Sequence, residues 1–283
     1  MAVLQMELMS KALMRTVPVT VILPADKILL PWQKSREEKP FPTLYLLHGV
    51  FGSSTDWLYR THIQALAEEH DLAVVMPSGE NAFYLDHADM HNNYAEYIGE
   101  ELVTLTRKMF PLSHERKETF IGGLSMGGYG ALRNGLKYHE TFGAIISLSG
   151  ALHLEEISLR TKNEGIFIET RKYAEACFGD LSAILESDKN PSYMASKLQA
   201  EGKTIPKIYM ACGESDSLLS ANRKVAERLK ASGAELSFET GPGGHEWSFW
   251  DRYIDRAISW LDIGQQGKGM NSGNIGVGDE KAQ

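Results

Sequence analysis

A serine hydroxyl is a poor nucleophile at neutral pH. It needs a base within hydrogen-bond reach, and the base needs a partner that fixes its tautomer. One stretch of this chain sets a serine apart: Gly122-Gly123-Leu124-Ser125-Met126-Gly127-Gly128. Apolar Thr119-Phe120-Ile121 precedes it, and Ala131, Leu132 and Leu136 follow at helical spacing. Strand, sharp turn and helix are the context of a Gly-x-Ser-x-Gly nucleophile elbow. The small residues two before and two after Ser125 let strand and helix approach closely. The serine itself must take a strained backbone that pushes its hydroxyl out of the turn. The helix start then aims free N–H groups at the spot where an oxyanion would form. A plain glycine-rich turn would read the same over these few residues, so the rest of the chain must decide.

His245 supplies a base. Of nine histidines it alone sits in a glycine-rich loop, Gly241-Pro242-Gly243-Gly244-His245, after the last strand-like run. His139 falls on or near the elbow helix and is poorly placed. Asp216 follows the preceding strand-like run and could orient His245, with Glu214 as the nearest substitute acid. Asp216 also stands just before a helical stretch, where an aspartate commonly caps. The order Ser…Asp…His is that of α/β-hydrolases and not of chymotrypsin-like or subtilisin-like proteases.

An oxyanion needs two preorganised donors. The expected pair is the backbone N–H of Met126 and that of Val50, in the turn His48-Gly49-Val50-Phe51-Gly52, with Phe51 as second choice for the latter. His48 reads as a side chain bracing that turn. Phe51 and Trp247 are candidate walls of the substrate pocket, and Trp250 reads as a core anchor of the last helix. His87-Ala88-Asp89-Met90-His91 resembles a metal site, but its histidines would share a face only on a helix and the stretch reads as loop. No metal and no cofactor are expected.

These residues need elements to carry them. Val3–Leu8 and Val17–Leu23 read as an antiparallel hairpin at a sheet edge. Thr43-Leu44-Tyr45-Leu46-Leu47 and Leu72-Ala73-Val74-Val75-Met76 are continuous apolar runs, as in strands buried on both faces. Residues 56–70 and 94–109 have helical spacing. Further strands are expected at 119–121, 142–148, 205–211 and 236–239, and helices at 218–231 and 247–263. Alternating strands and helices imply a mostly parallel twisted sheet with helices on both faces. Ligands bind beyond the carboxyl ends of strands in such sheets. His48, Ser125, Asp216 and His245 all fall at such ends. Residues 151–204 are too long for a simple crossover. They read as an insertion, either a small lid over the site or a decorated crossover that touches no substrate. The expected organisation is one α/β domain over 1–263 and a glycine-rich, loosely held tail over 264–283.

Composition narrows the classes. The 283 residues are 43% hydrophobic and 23% charged, those of a soluble globular chain. The net charge of −8 with no basic run argues against nucleic acid or an anionic membrane as partner. No apolar run reaches the ~20 residues of a membrane span. The first residues lack the apolar core of a signal peptide, and two cysteines, Cys177 and Cys212, are too few for a disulfide scaffold. A cytoplasmic location is expected. The N-terminal strands could pair between copies into a homo-oligomer.

HGVFG after a buried strand, GLSMGGYGA, GESD and GGHEWSFW, in that order, resemble the esterase D/tributyrin esterase group of α/β-hydrolases. That group includes carboxylesterases, feruloyl esterases and S-formylglutathione hydrolases, and the resemblance spans roughly residues 5–262. It implies Ser125 as nucleophile, Asp216 as acid, His245 as base, and a small-molecule ester substrate, short-chain acyl or aryl, feruloyl or acetyl in type. His48 stands where the S-formylglutathione hydrolases usually have serine, a departure from the thioester pattern. The sequence reading is therefore a serine carboxylesterase working through an acyl-enzyme. Its rivals are a thioesterase or acyltransferase of the same fold and a non-catalytic binding member.

Overall fold

The computed structural model describes residues 1–30, 32–33, 39–87, 90–264 and 266–275. Among the described residues, eight strands make one sheet. They are β1 (Ala2–Ser10), β2 (Arg15–Leu23), β3 (Thr43–Leu47), β4 (Ala73–Pro77), β5 (Thr119–Leu124), β6 (Ala144–Leu148), β7 (Lys207–Gly213) and β8 (Leu236–Gly241). Their order across the sheet is β1-β2-β4-β3-β5-β6-β7-β8. β1 and β2 form the antiparallel hairpin expected at one edge, and β2 also runs antiparallel to β4. The pairings from β4 to β8 are parallel.

The unbroken apolar runs explain the two layers of helices. Tyr45, Leu47, Ala73 and Val75 face one core, while Leu44, Leu46, Val74 and Met76 face the other. Each strand thus feeds both faces, as a central strand must. Helix α3 (Leu102–Met109), the elbow helix α4 (Met126–Lys137) and α8 (Leu219–Ala231) cover the first face. Helices α1 (Asp56–Arg60), α2 (Ile63–Glu69) and α9 (Trp247–Trp260) cover the second.

Two expected helices are broken. The stretch over 56–70 divides into α1 and α2 because Thr61 is extended, with its hydroxyl donating to the Trp57 carbonyl at 2.6 Å. The stretch over 94–109 contains a π turn, Tyr97–Glu101, where Gly99 lies against the Tyr138 ring. The 151–204 segment holds α5 (Leu154–Ser158), α6 (Arg171–Phe178) and α7 (Pro191–Ala200). It packs on the α4 face. Arg133 Nε donates to the Asp188 carbonyl at 3.0 Å, and Tyr129 Oη donates to the Lys189 carbonyl at 2.7 Å. Residues 266–275 lie against α2 and the stretch before β3. Gln266 N–H donates to Glu69 O at 2.9 Å and Met270 N–H to Ile28 O at 2.7 Å. Residues 276–283 of the expected tail lie outside the described residues.

Candidate active site

Four loops at the carboxyl edge of the sheet converge. Ser125 stands between β5 and α4 with φ 54° and ψ −119°, off the regions open to most residues. Hydrogen bonds on both sides hold it there. Its N–H donates to Leu148 O at 2.9 Å, and its carbonyl accepts from Tyr129 N–H at 3.0 Å and Ala151 N–H at 2.9 Å. The motif glycines are required by contact. A Cβ on Gly123 would lie 2.4 Å from Gly127 O, and one on Gly127 would lie 2.5 Å from Leu47 O.

His245 reaches Ser125 from the loop after β8. Its Nε2 is 3.0 Å from Ser125 Oγ, and its Nδ1 is 2.9 Å from Asp216 Oδ2. The loops after β7 and β8 are laced together, which makes this approach possible. Glu214 N–H donates to Gly241 O at 2.9 Å and Ser215 N–H to Gly243 O at 3.0 Å. Asp216 is buried, and its Oδ1 accepts from Leu218 N–H at 2.9 Å. Leu218 and not Asp216 stands at the N-cap of α8, so the carboxylate closes the turn before the helix instead of capping it, and its other oxygen faces His245. Burial alone would push the Asp216 carboxyl up. The hydrogen bonds from His245 and the Leu218 N–H outweigh it, and the group is held below its ordinary value. Glu214 is exposed, and His139 lies beyond the far end of α4.

The turn after β3 forms the opposite wall. Gly49 lets it lie against Ser125, because a Cβ there would be 3.3 Å from the Ser125 Cβ. His48 is buried and neutral in role. Its Nδ1–H donates to Gly49 O at 2.6 Å and its Nε2 accepts from Gly79 N–H at 2.9 Å. Burial holds its pKa below the ordinary value. Phe51 N–H is already committed to Asn81 Oδ1 at 2.8 Å. Among the described residues no acceptor takes the Val50 N–H, so Val50 is the better placed of the two donors. Met126 opens α4, where a first-turn N–H has no partner within the helix.

A cavity of about 850 Å3 opens over Ser125. Phe51, Trp247 and Trp250 line it, with Val50, Met126 and His245. Trp250 is buried, as a core anchor is, and it also faces the cavity, its ring meeting His245 edge-on with centroids 4.9 Å apart. Trp247 stands edge-on to Trp250 at 5.3 Å. The insertion contributes His153, Glu156, Arg160, Ile168 and Glu169 to the wall, and α1 contributes Asp56 and Arg60. None of these seven was singled out in the sequence, since no motif or spacing marks them. Among the described residues no three ligating side chains gather to hold a metal ion. Of the His87–His91 stretch, Ala88 and Asp89 lie outside the described residues. His87 ends the two-residue strand Asp86–His87. A hydroxyl, an imidazole and a carboxylate in hydrogen-bonded series can deprotonate the hydroxyl as it attacks an electrophile.

Comparison with known proteins finds relatives along almost the whole chain. Residues 10–261 match the model of the Esterase family. The acetyl esterase of Caldicellulosiruptor saccharolyticus is 43% identical over 92% of this chain and 98% of its own. Two solved structures from Staphylococcus aureus superpose with a TM-score of 0.78. The fluorophosphonate-binding serine hydrolase F is 32% identical over 93% of this chain and 98% of its own. An S-formylglutathione hydrolase is 33% identical over 93% of this chain and 99% of its own.

Proposed function

The chain belongs to the Esterase family and is a serine ester hydrolase of the α/β-hydrolase fold, and from that premise we propose which residues do the chemistry. Ser125 attacks the ester carbonyl while His245 takes its proton. The N–H groups of Val50 and Met126 receive the oxyanion. His245 then protonates the leaving alcohol and activates the water that releases the acid. Asp216 holds His245 in the tautomer that leaves Nε2 free to accept, and it stabilises the imidazolium that forms. The observation that carries this reading is the unbroken relay of 3.0 Å and 2.9 Å from Ser125 Oγ through His245 to Asp216 Oδ2.

Short acyl groups, acetyl first, are the proposed substrates, on the strength of the relative that is an acetyl esterase. Phe51 and Trp247 line the pocket that receives them. Thioester hydrolysis is a second reading, favoured by the similarity to the S-formylglutathione hydrolase. The reaction needs no cofactor, because the relay supplies nucleophile, base and acid. The cytoplasm suits Cys177 and Cys212, both buried and unpaired.

The test is hydrolysis of p-nitrophenyl esters of increasing acyl length, beside the matching thioesters, by wild type and Ser125→Ala. Wild type should turn over acetate best. Ser125→Ala should keep its fold and lose roughly four to six orders of magnitude in kcat. Near-normal turnover by that variant would remove Ser125 from the mechanism. Equal or better turnover of thioesters would move the second reading to first.

A further inference from the structure

Phe51 has φ 64° in the left-handed region, where a phenylalanine is out of place. It is the third residue of a four-residue turn closed by Gly52 N–H donating to Gly49 O at 3.2 Å. A positive φ at that place ordinarily calls for glycine. Other residues prefer the alternative turn, in which the central peptide is flipped over. Something must therefore hold the Val50–Phe51 peptide, and Asn81 is in position to do so. Its Oδ1 accepts from Phe51 N–H at 2.8 Å.

Asn81 is itself held from the other side. Its backbone carbonyl accepts from Tyr173 Oη at 2.7 Å, and Tyr173 belongs to α6 of the insertion. A second path runs through rings. Phe51 meets Phe167 edge-on at 5.6 Å, and Phe167 meets Tyr173 at 5.1 Å. Cys177 Sγ of the same helix also lies 3.5 Å from the Asn81 carbonyl, so the turn that carries Val50 is tied to the insertion by hydrogen bonds to Asn81 and by an aromatic path that ends at Tyr173.

We propose that Asn81 is a positioning residue for ester hydrolysis: its carboxamide oxygen holds the Gly49–Gly52 turn in the shape that presents the Val50 N–H to the oxyanion, and Tyr173 fixes that arrangement to the insertion. This rests on the assignment of Ser125 and Val50 made above. Asn81 does not touch the reacting atoms. It acts through a peptide group, so its loss weakens the transition state more than the substrate complex.

The experiment is steady-state hydrolysis of p-nitrophenyl acetate by wild type, Asn81→Ala, Phe51→Gly and the double variant. Inhibition by an aryl trifluoromethyl ketone is measured beside it. Ser125 Oγ bonds to the ketone carbon, the carbonyl electron pair moves to oxygen as an oxyanion, and the serine proton passes to His245. Asn81→Ala should lower kcat about tenfold to a hundredfold, somewhat less than removal of an oxyanion donor itself. KM should stay within about threefold, and the ketone should weaken by the same factor as kcat/KM. In the Phe51→Gly background the same change should cost much less, because glycine keeps the left-handed shape unaided. Tyr173→Phe should give a smaller loss of the same kind. Wild-type kcat in Asn81→Ala, or a loss as large in the glycine background, would overturn the proposal. Should Asn81→Ala fail to fold, Asn81→Ser is too short to reach the Phe51 N–H and is judged by the same criteria. Absence of turnover in wild type would sink the esterase reading and this inference with it. Turnover with an indifferent Asn81 sinks this inference alone.

Discussion

At the scale of single residues, Asp216 makes one structural contact and the one contact proposed to orient the base. One oxygen closes the turn into α8 through the Leu218 N–H, and the other holds His245 Nδ1–H. An amide in its place can satisfy only one of these as an acceptor. In Asp216→Asn, the NH2 group facing the imidazole would favour the tautomer with its proton on Nε2. That nitrogen could no longer accept from Ser125. The expected loss in kcat is roughly 10^3–10^4-fold with KM little changed, checked by steady-state kinetics and by slowed fluorophosphonate labelling. The same group makes a prediction about pH. Its folded pKa lies below the ordinary 3.8, so the unfolded chain binds its proton first as pH falls. The stability it contributes is complete above about pH 4 and is lost as pH falls through the folded value. Denaturant titrations of wild type and Asp216→Asn should therefore converge below about pH 4. Curves that stay parallel through that range would mean the carboxylate is not held ionised.

At the scale of elements, the elbow depends on backbone approaching backbone. A Cβ on Gly127 would sit 2.5 Å from Leu47 O and 2.6 Å from His48 O. Both obstacles are main chain at the end of β3, and neither can swing aside as a side chain would. Gly127→Ala should cost about 1–3 kcal/mol in thermal unfolding. It should cost more in kcat than that loss explains, because the strain pushes on the turn bearing Val50. Unchanged kcat in a folded Gly127→Ala would show that this turn does not set the rate. Such elements were legible in the sequence for a physical reason. A strand buried on both faces must be continuously apolar, so β3, β4 and β5 announce themselves, and the ligand-bearing edge follows from their direction. Ser125 and Asp216 were legible as candidates because each follows such a run, and His245 because it sits in a glycine-rich loop after the half-exposed edge strand β8. The broken helices were not. Thr61 interrupts its helix through its own hydroxyl and an extended backbone, and the π turn accommodates one glycine against Tyr138. Neither event alters the periodic pattern of the sequence. Asn81 and the cavity wall from the insertion were illegible for a further reason. Their roles exist only once 151–204 has folded against the rest of the chain.

At the scale of the whole molecule, the insertion is continuous with the body. Ala174, Cys177, Phe178, Leu181 and Ile184 share one buried cluster with Tyr129, Leu132 and the strands beneath. Phe178 is the centre of this union. Its ring lies 4.9 Å from Phe83 and 5.7 Å from Tyr129, which stands on the elbow helix. A lid that moved freely would need a dry, separable interface with few buried contacts, because local opening costs the contacts it breaks. Here opening would expose three aromatic rings and strand the Tyr129 hydroxyl that donates to Lys189 O. The segment should therefore unfold with the domain and not before it. Phe178→Ala tests this directly. The cavity should cost about 3–5 kcal/mol and lower the melting temperature by several degrees while leaving a single transition. Because Tyr129 follows Ser125 by one helical turn, kcat should fall too, and labelling of Ser125 should slow in step with it. An early, separate transition of the insertion, with labelling of Ser125 untouched, would instead describe two independent units and a lid free to open.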